Sequence, residues 1–292
     1  MSKSNNLDAY FGEDYVRSER VLYTPSSFAR NSLIHLQEIG ELHAVREHVS
    51  KREGLDSYLF FMVLSGSGAL NYNGASYSLS SGDCVFIDCT FPYSHQTSDD
   101  LWSLKWVHFY GPQMANIYHK YMERGGKPAF TPANIDDFDT LWHKLRQTSS
   151  TEDYIRDMRI NEGLNELLTL LMQESWNPAQ QDSETKRSDL ISVKEFLGNN
   201  YADKISLDLI ADKFYINKYY LTRIFKEQFG VSINQYLLQI RITHAKHLLR
   251  FTDETVENIG WQCGIGAPHY FARTFKKVEG ISPGAFRKKW RN

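Results

Sequence analysis

Between residues 30 and 110, aromatic and β-branched residues come in short runs broken by glycine: SYLFFMVLSGSGAL, NYNGASYSL, SSGDCVFIDC and LWSLKWVHFYG. Such runs, bounded by turn-forming residues, predict short antiparallel strands joined by tight turns, hence a small barrel or sandwich. From Pro112 to Trp176 the spacing of apolar positions lengthens to three and four residues. The clearest case is YIRDMRINEGLNELLTLLMQESW, where Ile160, Leu164, Leu167, Leu168 and Leu171 fall on one stripe. That stripe has two uses: it packs the helix on its own barrel, or it pairs with the same helix of a second copy.

Residues 177–188, NPAQQDSETKRS, carry no apolar periodicity and are polar throughout, which is the composition of an exposed linker. The chain therefore divides into a barrel over 1–111, a helical segment over 112–176, the linker, and a second domain over 189–292. The expected class is α+β in two domains, the second all-helical.

Charge sharpens the division. Residues 1–185 hold 15 Lys+Arg against 25 Asp+Glu, a net of −10, whereas residues 186–292 hold 18 against 10, a net of +8. A basic block behind an acidic one suits a nucleic-acid-binding domain attached to a separate sensing or catalytic domain.

The basic half repeats itself. YLTRIFKEQFGVS, from Tyr220, aligns at an offset of 50 with YFARTFKKVEGIS, from Tyr270, with six identical positions: Tyr220/Tyr270, Arg223/Arg273, Phe225/Phe275, Lys226/Lys276, Gly230/Gly280 and Ser232/Ser282. Each copy follows a second short helical pattern, SLDLIADKF capped by Ser206 and TVENIGWQCG capped by Thr255. Ile210-Ala211 match Ile259-Gly260 at an offset of 49, so one extra residue sits in the later turn. Two short helices with small residues, Ala211 and Gly260, where they cross, and a basic second helix, describe a helix-turn-helix.

In the second helices the apolar positions must face the partner helix, which leaves Tyr219, Thr222 and Arg223 on one outer stripe and His269, Ala272 and Arg273 on the other. An arginine at the same place in both copies suits bidentate contact with guanine, with a phosphate contact as the rival reading. Lys226 and Lys276, one turn on, are expected at phosphates. Gly230 and Gly280 follow the last apolar residues, where a left-handed residue ends a helix cheaply. INQYLLQIRITHAKHLL, Ile233 to Leu249, reads as one rigid helix joining the units, so that both could enter successive major grooves of double-stranded DNA about 34 Å apart.

Other chemistries find little support. Cys84, Cys89 and Cys263 match no metal-ligand spacing and read as buried apolar residues. His35, His43 and His48 form no His-x-His pair, and on a regular strand the first two face away from the third; no metal, cofactor or catalytic group is expected. The N-terminus lacks a signal-peptide pattern and the longest apolar run, LFFMVL, is too short to span a membrane, so a cytoplasmic location is expected.

These residues resemble the AraC/XylS family of transcription regulators, whose signature is this pair of units and a C-terminal stretch here reading IGWQCGIGAPHYFARTFKKVEGISPGAFRKKW. The likeness covers about 190–291. It implies that Tyr219, Thr222 and Arg223 of the first unit, and Pro268, His269 and Arg273 of the second, face DNA, and that the protein works as a homodimer with RNA polymerase. One departure stands out: Gly266-Ala267-Pro268 replaces the polar cap usual before the second recognition helix.

The N-terminal half is similar to the cupin-like sensing domain of sugar-responsive members, from Arg52–Tyr58 through LSGSG and GDCVFIDCTFPYSHQ to WSLKWVHFYG. By that resemblance the ligand lies inside the barrel against Arg52 and Trp106, with His95, Gln96 and Trp102 nearby; the two tryptophans serve equally well as barrel core. The resemblance implies an activator of carbohydrate-utilisation genes responding to a sugar or similar small polar effector. The alternative is a regulator controlled by a non-sugar ligand or a partner protein, the barrel serving only for dimerisation.

Overall fold

The computed structural model describes residues 15–175 and 183–291, with residues 183–189 as helical backbone only, and the chain clusters into two units, Met1–Asn177 and Pro178–Asn292. The helical segment after the barrel thus belongs to the same compact unit as the barrel itself.

In the first unit one antiparallel sheet runs, in spatial order, β1 (Val16–Leu22), β2 (His35–Ala44), β9 (Ser103–Tyr110), β4 (Tyr58–Ser65), β7 (Cys84–Asp88) and β10 (Ala129–Phe130). A second sheet runs β3 (Val49–Arg52), β8 (Tyr93–Thr97), β5 (Ser67–Tyr72) and β6 (Ala75–Ser80). Strand β1 and the short helix α1 (Ser27–Ser32) precede the region whose patterning had signalled strands.

The larger sheet is covered on both faces, which explains why its central strand reads as an unbroken apolar run rather than an alternation. On β4, Tyr58, Phe60 and Met62 join the core beneath the helices, while Leu59, Phe61 and Val63 point between the sheets. The helices are α2 (Met114–Glu123), α3 (Ile135–Ser149) and α4 (Arg156–Glu174). The α4 stripe of Ile160, Leu164, Leu167, Leu168 and Leu171 is buried in that same core, so it packs on its own sheet and is not left over for a second copy. Gly163 makes this possible, since a Cβ there would stand 2.7 Å from Leu145 of α3.

The second unit contains α5 (Ser183–Asn199), α6 (Leu207–Lys213), α7 (Lys218–Phe229), α8 (Ile233–Phe251), α9 (Val256–Gln262), α10 (Pro268–Glu279) and α11 (Pro283–Trp290). Of the segment read as a linker, 177–182 lie outside the described residues. The rest, 183–188, is the first part of α5: polar composition there marks a helix start that the periodicity did not reveal.

Helix α8 serves two cores. Its first half gives Ile233 and Leu237 to a cluster with Leu221 and Phe225 of α7, and its second half gives Ile242, Ala245 and Leu249 to a cluster with Phe271 and Phe275 of α10. It starts with a capping box, Ser232 with Gln235, and runs uninterrupted through both. All three cysteines are buried and free.

Candidate functional site

A pocket opens between the two sheets of the first unit, enclosing about 620 Å³ of empty space with its open mouth included. Strand alternation decides who lines it. On β9, Leu104, Trp106 and His108 point inward while Val107 and Phe109 join the core under the helices. Glu38 and Leu42 come from β2, Leu59 and Phe61 from β4, and Val16 and Arg20 from the edge strand β1. The second sheet supplies Arg52 from β3 and His95 from β8, with His48 just ahead of β3.

One wall is a linked set. The Arg20 guanidinium lies 3.3 Å from the Glu38 carboxylate and over the Trp106 ring, 5.4 Å from its centroid. The Trp106 side chain also hydrogen-bonds Glu38, and burial holds the Glu38 carboxyl above its usual range against the pull of Arg20 and Trp106. Gly40 makes room: a Cβ at that position would meet the Trp106 ring at 2.6 Å.

The pocket also carries imidazoles that stay uncharged, His95 and His48 on the side of the second sheet and His108 beside Trp106 on β9. Burial first, and the Arg52 charge second, push His95 down to about 3, and the same two causes push His108 to about 3. His48 is lowered as well, again by burial. The His108 Nδ1 and the Ser57 hydroxyl share a hydrogen bond of 2.8 Å, whereas the buried His95 Nδ1 has no hydrogen-bond partner among the described residues. A neutral imidazole offers one donor and one acceptor, so these groups, with Glu38 as acceptor and two arginines as donors, match an uncharged polyhydroxylated molecule. The Trp106 face suits its C–H surface.

Of the five residues anticipated for this pocket, Arg52, Trp106 and His95 line it. Gln96, next to His95 on β8, alternates to the exposed face and pairs its backbone with Val49 and Ala69. Trp102 is wholly buried behind the lining, against Phe61, His95 and Gly68, and is barrel core. Arg20, Glu38 and His108 had escaped attention, and His48 had been weighed only as a metal ligand; His108 was legible, since it stands two residues after Trp106 on one strand, but nothing local marks Arg20 and Glu38 as partners.

In the second unit, the αL conformation appears where each recognition helix ends, at Gly230 (φ 70) and Gly280 (φ 79). Ser206 and Thr255 cap the first helices of the two units, accepting from Leu209 N and Asn258 N. Gly260 crosses close to Phe271, where a Cβ would stand at 3.1 Å. The extra residue of the later turn is Gly266, at φ +97.

On α7, Leu221 and Phe225 face inward, while Tyr219 is 76% exposed and Arg223 and Lys226 are exposed; Thr222 is half-buried, its hydroxyl donating to the Lys218 carbonyl at 2.8 Å. On α10, Phe271 and Phe275 face inward and His269, Arg273 and Lys276 outward, with Pro268 half-buried at the first position. Both arginines lie over the tyrosine three residues earlier, Arg223 over Tyr220 and Arg273 over Tyr270. The entries differ. The Asn217 side chain accepts from the Tyr219 and Tyr220 amides, whereas Ala267 provides no side-chain cap to α10. Asn217 was missed as a cap because Lys-Tyr-Tyr after it does not resemble an acidic first helical turn.

A family model described as an AraC-like ligand binding domain matches residues 37–192, and one described as a helix-turn-helix domain matches 210–289. The chain is similar to the HTH-type transcriptional activator RhaS of Shigella dysenteriae, 25% identical over 252 residues that cover 80% of this chain and 85% of the relative. It is similar also to the Msm operon regulatory protein of Streptococcus mutans, 22% identical over 245 residues, 81% of this chain and 86% of the relative. Among solved structures, ToxT from Vibrio cholerae aligns with 95% of this chain and 100% of its own at 13% identity and a TM-score of 0.34. With one match spanning more than half of its length and the second covering both helix-turn-helix units, the chain belongs to the AraC family of DNA-binding transcription regulators.

Proposed function

We propose that the protein is a transcription activator whose barrel pocket binds a sugar or a similar small, uncharged, polar effector, and that this binding sets the activity of the DNA-binding half. The observation that carries the reading is a pocket lined by the Trp106 ring from one sheet and a neutral His95 from the other, the His95 Nδ1 being buried and, among the described residues, without a hydrogen-bond partner. A buried polar atom left unpaired costs stability, and a ligand hydroxyl would satisfy it. Its relative is named a transcriptional activator, which supports activation over repression.

In this reading Arg52, Trp106, His95, Glu38 and Arg20 contact the effector. Tyr219, Thr222 and Arg223 read bases, Lys226 and Lys276 hold phosphates, and Pro268, His269 and Arg273 place the second unit in the groove. The active form is a homodimer that works with RNA polymerase; its domains are the barrel with its helices and the helical DNA-binding half.

Thermal melting against a panel of monosaccharides tests the pocket. A matching sugar raises the melting temperature by mass action, and Trp106→Ala removes that rise. A panel that stabilises neither protein, or stabilises both equally, refutes the assignment.

A further inference from the structure

The turn between α6 and α7 places Tyr215 in the left-handed region, at φ +53, with 96% of its surface exposed. Its phenol makes no hydrogen bond and its ring no aromatic or cation contact among the described residues. A tyrosine held at positive φ is conformationally costly, and glycine or asparagine would fill the same backbone position more cheaply.

The duplicated unit shows what the turn itself requires. Aligned through Ile210/Ile259 and Ala211/Gly260, Tyr215 falls opposite Gly264, which has φ +66. There a glycine is needed twice over, for its φ and because a Cβ would stand 2.4 Å from the Ala202 carbonyl oxygen. At Tyr215 the surroundings are open, so the fold accepts a side chain but gains nothing from this one. A large side chain kept at a costly position, with no internal contact, acts on something outside the chain.

Its place in the motif says what. Two residues after Tyr215, Asn217 caps α7, and Tyr219 stands exposed in the first turn of that helix. In helix-turn-helix proteins the first turn of the recognition helix meets base edges, so the chain entering it crosses the rim of the groove, where phosphates lie. A tyrosine hydroxyl there is a phosphate donor of ordinary reach and length.

We infer that Tyr215 is a DNA-backbone contact of the first unit, its phenol donating a hydrogen bond to a phosphate beside the groove that α7 enters. The inference rests on α7 being the helix that enters the groove. The contact gives the first unit an anchor that the second, with Gly264, lacks.

The test uses the full-length chain and a duplex that the unaltered chain selects from a random-sequence pool, together with single-base variants of that duplex. Tyr215→Phe keeps the ring and removes the donor; it weakens binding about ten-fold or more, as loss of a hydrogen bond to a charged acceptor does, and by the same factor on every duplex. Tyr215→Gly relieves the backbone, so its melting temperature equals or exceeds that of the unaltered chain while its affinity falls at least as far. Unchanged affinity in both variants overturns the inference, and so does a loss that depends on the base substituted. Full affinity with lost promoter output assigns Tyr215 to RNA polymerase instead and overturns it as well. Arg223→Ala separates the two levels: if it too binds normally, the placement of α7 in the groove has failed, and this contact with it.

Discussion

Trp142 donates its indole N–H to the main-chain carbonyl of Trp106 at 3.1 Å, so helix α3 is tied to the strand residue whose ring forms a wall of the pocket. Next to it on β9, Lys105 points the other way, under α3, where its ammonium meets Asp139 at 2.5 Å and the Trp142 face at 4.7 Å from the ring centroid. The pocket and the helical layer thus share one strand.

That arrangement predicts an asymmetry. Lys105 is nearly buried while Asp139 is about a third exposed, so removing the carboxylate leaves, without its counter-ion, a charge that cannot reach water, with the His143 Nε2 at 3.0 Å as a remaining polar partner. Asp139→Ala is expected to cost about 1–3 kcal/mol, and Lys105→Met, which keeps the apolar stem, under about 1 kcal/mol. Urea denaturation of the two variants measures the difference.

Stability should fall on mild acidification. His95 and His108, pushed to about 3 in the folded chain from an ordinary 6.5, stay uncharged there and take up protons only on unfolding. A base whose folded value is depressed contributes its full stability above the unfolded value and loses it as pH falls below 6.5. Between pH 7.5 and 5.5 the pair loses about 3 kcal/mol, with His48, also lowered by burial, adding in the same sense, and His108→Gln removes half of the pair's share. Glu38, raised by burial, acts in the opposite sense as pH nears its own range, which is why the comparison stops at pH 5.5. Denaturation midpoints across that window give the result.

The two recognition helices begin differently, and that difference is open to exchange. Asn217→Ala removes a side chain bonded to two amides and should cost about 1 kcal/mol. Ala267→Ser, at a position already extended (φ −53, ψ 143), should add about 0.5–1 kcal/mol. Melting of the full chain records both.

The same difference ranks the arginines. Arg223 follows a capped, well-fixed entry and Arg273 an uncapped one, so Arg223→Ala should relax discrimination among operator variants more than Arg273→Ala. Arg273→Ala should instead lower affinity nearly uniformly. Competition binding against single-base variants ranks them, and equal profiles would reverse the order proposed.

The helix-turn-helix pair was legible because its rules are local: caps at Ser206 and Thr255, glycine stops at Gly230 and Gly280, and an internal repeat that marks both arginines. His95 and Trp106 were reached through the family resemblance, though strand alternation sends both to the pocket. The same rule, applied one step further, would have excluded Gln96, whose neighbour on β8 faces inward. Arg20 with Glu38 was not legible, because they meet across the β1–β2 pairing, and no signal in the sequence announces β1 as the pocket's edge. The α4 stripe satisfied two readings equally, and only the position of the sheet beneath it chose between them.

Effector-dependent DNA binding is the most direct measure of the whole. At fixed salt, the affinity of the full chain for its selected duplex, and output from a promoter carrying that duplex, are titrated with the sugar that stabilises the barrel. The account predicts a change of at least about five-fold in one of them, consistent with ordinary allosteric coupling, and its loss in Trp106→Ala. A sugar that fills the pocket while leaving both affinity and output unchanged would contradict it.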